Sequence, residues 1–131
     1  MDAPLVAIVE NDPVIIGLMC EVLNDAGYRT VTGTNADDVE SILFRERPDL
    51  LILDVRLPGG VTGLPLLSTL RDNPATARLP IIVTTADASF LRKNAWAVHG
   101  LGCETLEKPF DLDSLLGCVA SFLPVGKREV S

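Results

Sequence analysis

Apolar residues gather in five short runs, and each run stops at polar or glycine-rich residues. Leu5-Val6-Ala7-Ile8-Val9 is rich in β-branched side chains and reads as a strand, β1, closed by Glu10-Asn11-Asp12-Pro13. Tyr28 to Thr32 alternates and gives a second strand, β2. Asp49-Leu50-Leu51-Ile52-Leu53-Asp54 is an unbroken apolar run that ends in a carboxylate. That is the pattern of a strand buried on both faces, β3. Leu79 to Thr85 is a fourth strand, β4, and Cys103 to Glu107 a fifth, β5, less apolar than the others.

Between these runs the apolar positions recur at helical spacing. Asp12 before Pro13 supplies an N-cap and then a proline at the first helical position. It opens α1 over about Pro13–Asp25, with Ile15, Met19, Val22 and Leu23 on one side and Gly27 as its left-handed cap. Asn35-Ala36-Asp37-Asp38 opens α2 with acids in the first turn, where the helix dipole favours them. Val39, Ile42 and Leu43 form its stripe, and Pro48 stops it. Leu64, Leu66, Leu67 and Leu70 give α3, closed around Asn73-Pro74. Ser89 is expected to cap α4, in which Leu91, Ala95 and Val98 share a face and Gly100-Leu101-Gly102 ends the helix. Asp111 caps α5, which carries Leu112, Leu115, Leu116, Val119, Ala120 and Phe122 and stops at Pro124. Strand and helix alternate with short connections, which predicts an α/β fold with a parallel sheet and helices on both faces. No linker divides the chain. The expected unit is 1–124, with 125–131 as a flexible C-terminal tail.

Composition narrows the classes. With 131 residues and 47% hydrophobic content the chain suits one domain with a core, which argues against disorder. The apolar runs are far too short to span a bilayer, and Met1-Asp2-Ala3-Pro4 lacks the basic start of a secretion signal. The expected location is cytoplasmic, with no membrane insertion. Cys20, Cys103 and Cys118 are odd in number and widely spaced, so they read as reduced core or boundary thiols. The net charge of −7 argues against direct nucleic-acid binding and leaves room for a local acid cluster that holds a cation.

The chemistry lies at the strand ends, which converge on one edge of a parallel sheet. Glu10-Asn11-Asp12 follows β1, Asp54 ends β3, Thr84-Thr85 ends β4 and Lys108 follows β5. Hard cations such as Mg²⁺ take carboxylate, water and phosphate oxygens. A lysine offers a point charge to a phosphoryl oxygen, and a free carboxylate is a competent phosphoryl acceptor.

Four motifs in this order carry a resemblance over essentially the whole chain: Val9-Glu10-Asn11-Asp12-Pro13, Leu53-Asp54-Val55-Arg56-Leu57-Pro58-Gly59 with Gly63, Pro80-Ile81-Ile82-Val83-Thr84-Thr85-Ala86, and Lys108-Pro109-Phe110. The sequence resembles a response-regulator receiver domain of two-component signalling, in its single-domain form. The resemblance implies a flavodoxin-like, doubly wound (βα)5 fold with a central parallel five-stranded sheet. It implies that a histidine kinase or phosphotransfer protein donates a phosphoryl group to Asp54, with Mg²⁺ as cofactor. Glu10 and Asn11 then take the metal-site acid pair, joined by Asp54 and the backbone of Arg56. Thr85 matches the switch hydroxyl, Lys108 the family's lysine, and the Lys108-Pro109 bond is cis. Arg56 and Asp87 border the phosphoryl site and tune hydrolysis. Output is expected through a protein target on the α4–β5–α5 face or along a phosphorelay, since no room for an output domain remains after Leu123. Such a protein assists its own phosphorylation and dephosphorylation and is not otherwise an enzyme.

Three departures from the family pattern stand out. Asn11 replaces the usual aspartate, which removes a negative charge, and metal binding weaker by ~10-fold or more is expected. Thr105 stands where an aromatic ring is common. The loop from Pro58 to Gly63 is one residue longer than its commonest form. The first departure keeps a rival open: a pseudo-receiver that binds proteins without phosphorylation. A phosphatase would want an acid where Arg56 stands, and a flavin carrier a hydroxyl- and glycine-rich loop where Glu10-Asn11-Asp12-Pro13 stands. Asp12 reads as a cap and Glu10 as a metal-site acid. His99 reads as a helix-end residue with no motif around it. Trp96 lies off the Leu91–Ala95–Val98 face and is expected to be partly exposed, on a partner surface or packed at a rim.

Overall fold

Leu50 to Asp54, buried along its whole length, is the middle strand of a five-stranded sheet. A computed structural model describes residues 3–60 and 62–124. The expected tail and Val61 of the long loop lie outside the described residues. Strands and helices alternate as β1 Leu5–Val9, α1 Pro13–Asp25, β2 Arg29–Gly33, α2 Asp37–Glu46, β3 Leu50–Asp54, α3 Gly63–Asp72, β4 Ile81–Thr85, α4 Ala88–Gly100, β5 Cys103–Glu107 and α5 Leu112–Phe122. All pairings are parallel and the order across the sheet is β2-β1-β3-β4-β5. This is the parallel sheet that the alternation predicted, in the flavodoxin-like doubly wound order that the resemblance implied.

The register explains the two layers of core. Alternate residues of a strand face opposite sides of the sheet. Val6, Ile8, Leu50, Ile52 and Ile82 point to one side and pack with Met19 and Leu23 of α1 and Leu115 and Val119 of α5. Ala7, Val9, Leu51, Leu53, Ile81 and Val83 point to the other and pack with the stripes of α2, α3 and α4. Each fully buried leucine or isoleucine contributes on the order of 1.5–3 kcal/mol of apolar burial. The three inner strands are therefore buried without interruption, and β3 and β4 turn polar only at their C-terminal ends. The outer strands β2 and β5 are buried only in part, which accounts for the weaker pattern of Cys103 to Glu107.

Most helix signals hold. Asp12 Oδ1 accepts the Val14 N–H at 2.9 Å, and Asp111 Oδ1 accepts that of Ser114 at 2.7 Å. Gly27 has φ 103° just past α1. Four details differ from expectation. The cap of α4 is Asp87, whose Oδ1 accepts the Phe90 N–H at 3.0 Å; Ser89 lies inside the helix. Aspartate is as strong a cap as serine, and β4 ends at Thr85, which leaves Asp87 at the start of the helix. Leu112 and Ala120 are exposed, because α5 buries only the narrow stripe of Leu115 and Val119. Trp96 is 94% exposed rather than partly so. β2 and β4 start at Arg29 and Ile81, one and two residues later than their apolar runs.

Candidate functional site

The sheet order places the topological switch between β1 and β3, where consecutive strands diverge to opposite sides. Glu10 and Asp54 stand at the C-terminal ends of these two strands. Glu10 is held there by its N–H, which donates to the Gly33 carbonyl at 3.1 Å. A Cβ at Gly33 would lie 2.7 Å from Ile42 Cδ1 and 2.9 Å from the Asp38 Cβ, so the close approach of β2 to α2 requires glycine.

Lys108 joins the two acids. Its Nζ donates to Glu10 Oε1 at 2.6 Å and to Asp54 Oδ2 at 3.0 Å. Glu10 is 2% exposed and Asp54 4%, and the Lys108 side chain 15%. Burial pulls the lysine pKa down, but the hydrogen bonds and charges of Glu10 and Asp54 outweigh it and hold the ammonium above its ordinary value. The Lys108–Pro109 bond is cis, and the Lys108 N–H donates to the Thr85 carbonyl at 2.8 Å. The second oxygen of each acid is also used. Asp54 Oδ1 accepts the Arg56 N–H at 2.8 Å, and Glu10 Oε2 accepts the Asp12 N–H at 3.1 Å.

A second set of contacts surrounds this centre. Thr85 is buried and its Oγ1 accepts the Asp87 N–H at 3.0 Å. Asp87 also pairs with the Arg56 guanidinium, whose side chain is 69% exposed. The hydrogen bond from the Phe90 N–H, and after it that from Arg56, hold the Asp87 carboxyl below its usual range. Thr84 lies beside Asp54 in register on the neighbouring strand, on the same side of the sheet as Ile52 and Ile82. Its Oγ1 is buried with no hydrogen-bond partner among the described residues. Asn11 is exposed at the rim, and Thr105 is half-buried on β5.

Five of the expected residues converge, while exposed Asn11 makes no hydrogen bond to them among the described residues. Glu10, Asp54 and Lys108 are in direct contact, Arg56 reaches Asp54 through its backbone, and Thr85 borders them through Asp87 and Lys108. Three features carry no local signal in the sequence: the contact of Lys108 with Glu10, 98 residues away; the Arg56–Asp87 pair; and the unpaired Thr84 hydroxyl. Among the described residues no three His, Cys, Asp or Glu side chains form a metal cage. The Glu10 and Asp54 carboxylates are nevertheless oxygen donors of the kind Mg²⁺ takes, and exposed Asn11, next to Glu10 in the chain, brings an amide where a further acid would bring a charge. The donor set fits that ion, with one charge fewer than three acids would give.

Residues 6–120 match the family model described as "Response regulator receiver domain", and the chain belongs to that family. It is 36% identical over 130 residues to the phosphate regulon transcriptional regulatory protein PhoB of Rhizobium meliloti, covering 97% of this chain and 55% of that protein. It is 30% identical to sporulation initiation phosphotransferase F of Bacillus subtilis, covering 92% of this chain and 94% of that one. The chain thus spans about half of the first relative and nearly all of the second. Among solved structures it resembles the receiver domain of a sensor histidine kinase from Pseudomonas aeruginosa, with a TM-score of 0.78 and 26% identity over 92% of this chain and 97% of that one. That protein is described with a magnesium ion coordinated in its active-site cleft. Receiver domains are signalling modules of two-component systems rather than enzymes acting on a separate substrate. No helix among the described residues is long and apolar enough to cross a membrane.

Proposed function

We propose that Asp54 accepts a phosphoryl group from a phosphohistidine of a kinase or phosphotransfer protein, and that the receiver unit comprises 1–124 of a cytoplasmic signalling protein. One observation carries this reading. A buried carboxylate stands at the topological switch point with an ammonium 3.0 Å from one oxygen and a backbone N–H 2.8 Å from the other. In the transfer the donor's nitrogen–phosphorus bond breaks as an Asp54 oxygen–phosphorus bond forms. Lys108 offers its ammonium to a phosphoryl oxygen while Asp54 gives up its share of that charge. Glu10, Asn11, Asp54 and the Arg56 carbonyl would hold Mg²⁺, which when bound would add positive charge for the phosphoryl oxygens. The Thr84 hydroxyl supports the same reading. A buried hydroxyl left unpaired costs about 1–3 kcal/mol, and a phosphoryl oxygen or ordered water beside Asp54 would relieve it.

The new charge reaches α4 through two contacts. Thr85 turns its hydroxyl toward the phosphoryl group and weakens its bond to the Asp87 N–H. The phosphoryl oxygens also compete with Asp87 for the Arg56 guanidinium. Asp87 is the cap of α4, so both changes bear on that helix and on the α4–β5–α5 face through which a protein target is engaged.

The reduced acid set around Asn11 favours a second reading, a pseudo-receiver that binds its partner without phosphorylation. Intact-protein mass after incubation with a small acyl phosphate separates the two. A phosphoryl adduct that requires both Mg²⁺ and Asp54, and is lost in Asp54→Asn, is expected. No adduct on the natural chain, with one gained in Asn11→Asp, would establish the pseudo-receiver.

A further inference from the structure

α4 is the one helix of the five with no acidic residue, in a chain of net charge −7. Arg92 and Lys93 are exposed on it, and neither makes an ion pair among the described residues. Trp96, the single tryptophan, is 94% exposed. At 100° per residue it projects almost opposite the buried Val98, one turn beyond Arg92 and Lys93. Exposed His99 lies one turn further on. The other strongly exposed aromatic, Phe44 at 77%, has Glu40 and Arg47 beside it on α2, so its surroundings carry no single sign.

We propose that the outer face of α4 docks an acidic protein segment, with Trp96 as its apolar anchor and Arg92 and Lys93 as its charge partners. This docking rests on the signalling reading of the site, which makes α4 part of an output surface. A tryptophan placed almost wholly in water gains most when a partner covers it, and aromatic anchors with flanking charges carry much of the affinity at interfaces. Charge decides the partner's chemistry. A basic segment would be drawn to the acidic remainder of the molecule. This face offers the complementary field to a chain of Asp and Glu side chains set around one apolar residue. Two fixed cations are too few to hold a nucleic acid against the net charge of the chain.

Trp96 is also the reporter. The probe is an amphipathic helical peptide with a leucine face and a glutamate face, titrated into the full chain, with a matched peptide bearing lysine in place of glutamate. Both are added before and after treatment with acetyl phosphate and Mg²⁺. A blue shift of Trp96 emission with the glutamate peptide in either state, weakened by salt and absent with the lysine peptide, is expected. Arg92→Glu with Lys93→Glu should weaken binding roughly tenfold or more, the scale of two charge contacts reversed at an interface rim. Both substitutions are exposed, and intact mass on the same samples reads phosphorylation of Asp54 independently. Loss of the shift with a normal phosphoryl adduct therefore reports on the surface alone. Equal response to both peptides, no response in either state, an unchanged response in the charge-reversed variant, or a shift with single-stranded oligonucleotide would each overturn the proposal.

Discussion

Two ion-pair systems stand a few residues apart at the same sheet edge. One is Glu10–Lys108–Asp54, in which both acids are buried and joined by a shared ammonium. The other is Arg56–Asp87, in which the arginine is mostly in water. The first cannot relax its charges into solvent, so losing one member leaves the others stranded in the protein. The second keeps its hydration and contributes little to stability. It can break at small cost, which suits a contact that changes partners. Under the proposed function, the buried system would suit the chemistry of transfer and the exposed one the transmission of its result.

Removing the ammonium should have the largest effect. Lys108→Met is expected to lower stability by about 3–5 kcal/mol in urea unfolding, since two buried acids then face each other. A loss below about 1 kcal/mol would show that the centre is solvated and the contrast false. Asn11→Asp adds a third acid beside the same centre. Calorimetric titration should find Mg²⁺ bound ~10-fold more tightly, and unchanged affinity would place residue 11 outside the metal shell. Thr84→Val keeps the shape and removes the unpaired hydroxyl. Stability should be retained or rise by about 1 kcal/mol, while the phosphoryl adduct decays faster. A destabilised variant with unchanged decay would show that Thr84 has a hidden partner.

Acidity and alkalinity separate the pairs next. The Lys108 pKa is raised on folding, so its contribution is complete below the unfolded value of about 10.4 and is lost as pH climbs through the folded one. The Asp87 pKa is lowered, so its contribution is present above about 3.9 and is lost as pH falls through the folded value. The alkaline loss of stability should therefore be shallower in Lys108→Met than in the natural chain, and the acid loss shallower in Asp87→Asn. Arg56→Gln should have the smallest effect on stability, with no measurable change in midpoint. Its consequence should appear instead as a Trp96 fluorescence change on phosphorylation that differs from the natural chain's.

The strand ends are legible because parallel order turns an abrupt stop in an apolar run into a position on one edge. Asp54, Lys108 and Glu10 follow from that rule. Selecting Thr85 over Thr84 does not: alternation gives only opposite faces, and the choice comes from the family pattern. What stays illegible depends on pairing across long separations. Nothing local in Glu10 announces that Lys108 will reach it. The α4 cap falls at Asp87 rather than the expected Ser89 because both carry cap chemistry two residues apart. Which one folds into the helix depends on where β4 ends. The full exposure of Trp96 follows from the narrow contact of α4 with the sheet, where Val98 alone is buried.

The shared ammonium has one more consequence. A free lysine at an open cleft would gather whatever inorganic anion the surroundings hold. Here the cation is already engaged by two acids, and a phosphate or sulfate that drifts in meets their repulsion before it meets the lysine. Any anion that enters must then displace a carboxylate from Lys108, so the site is closed to ions that bring no exchange of partners with them.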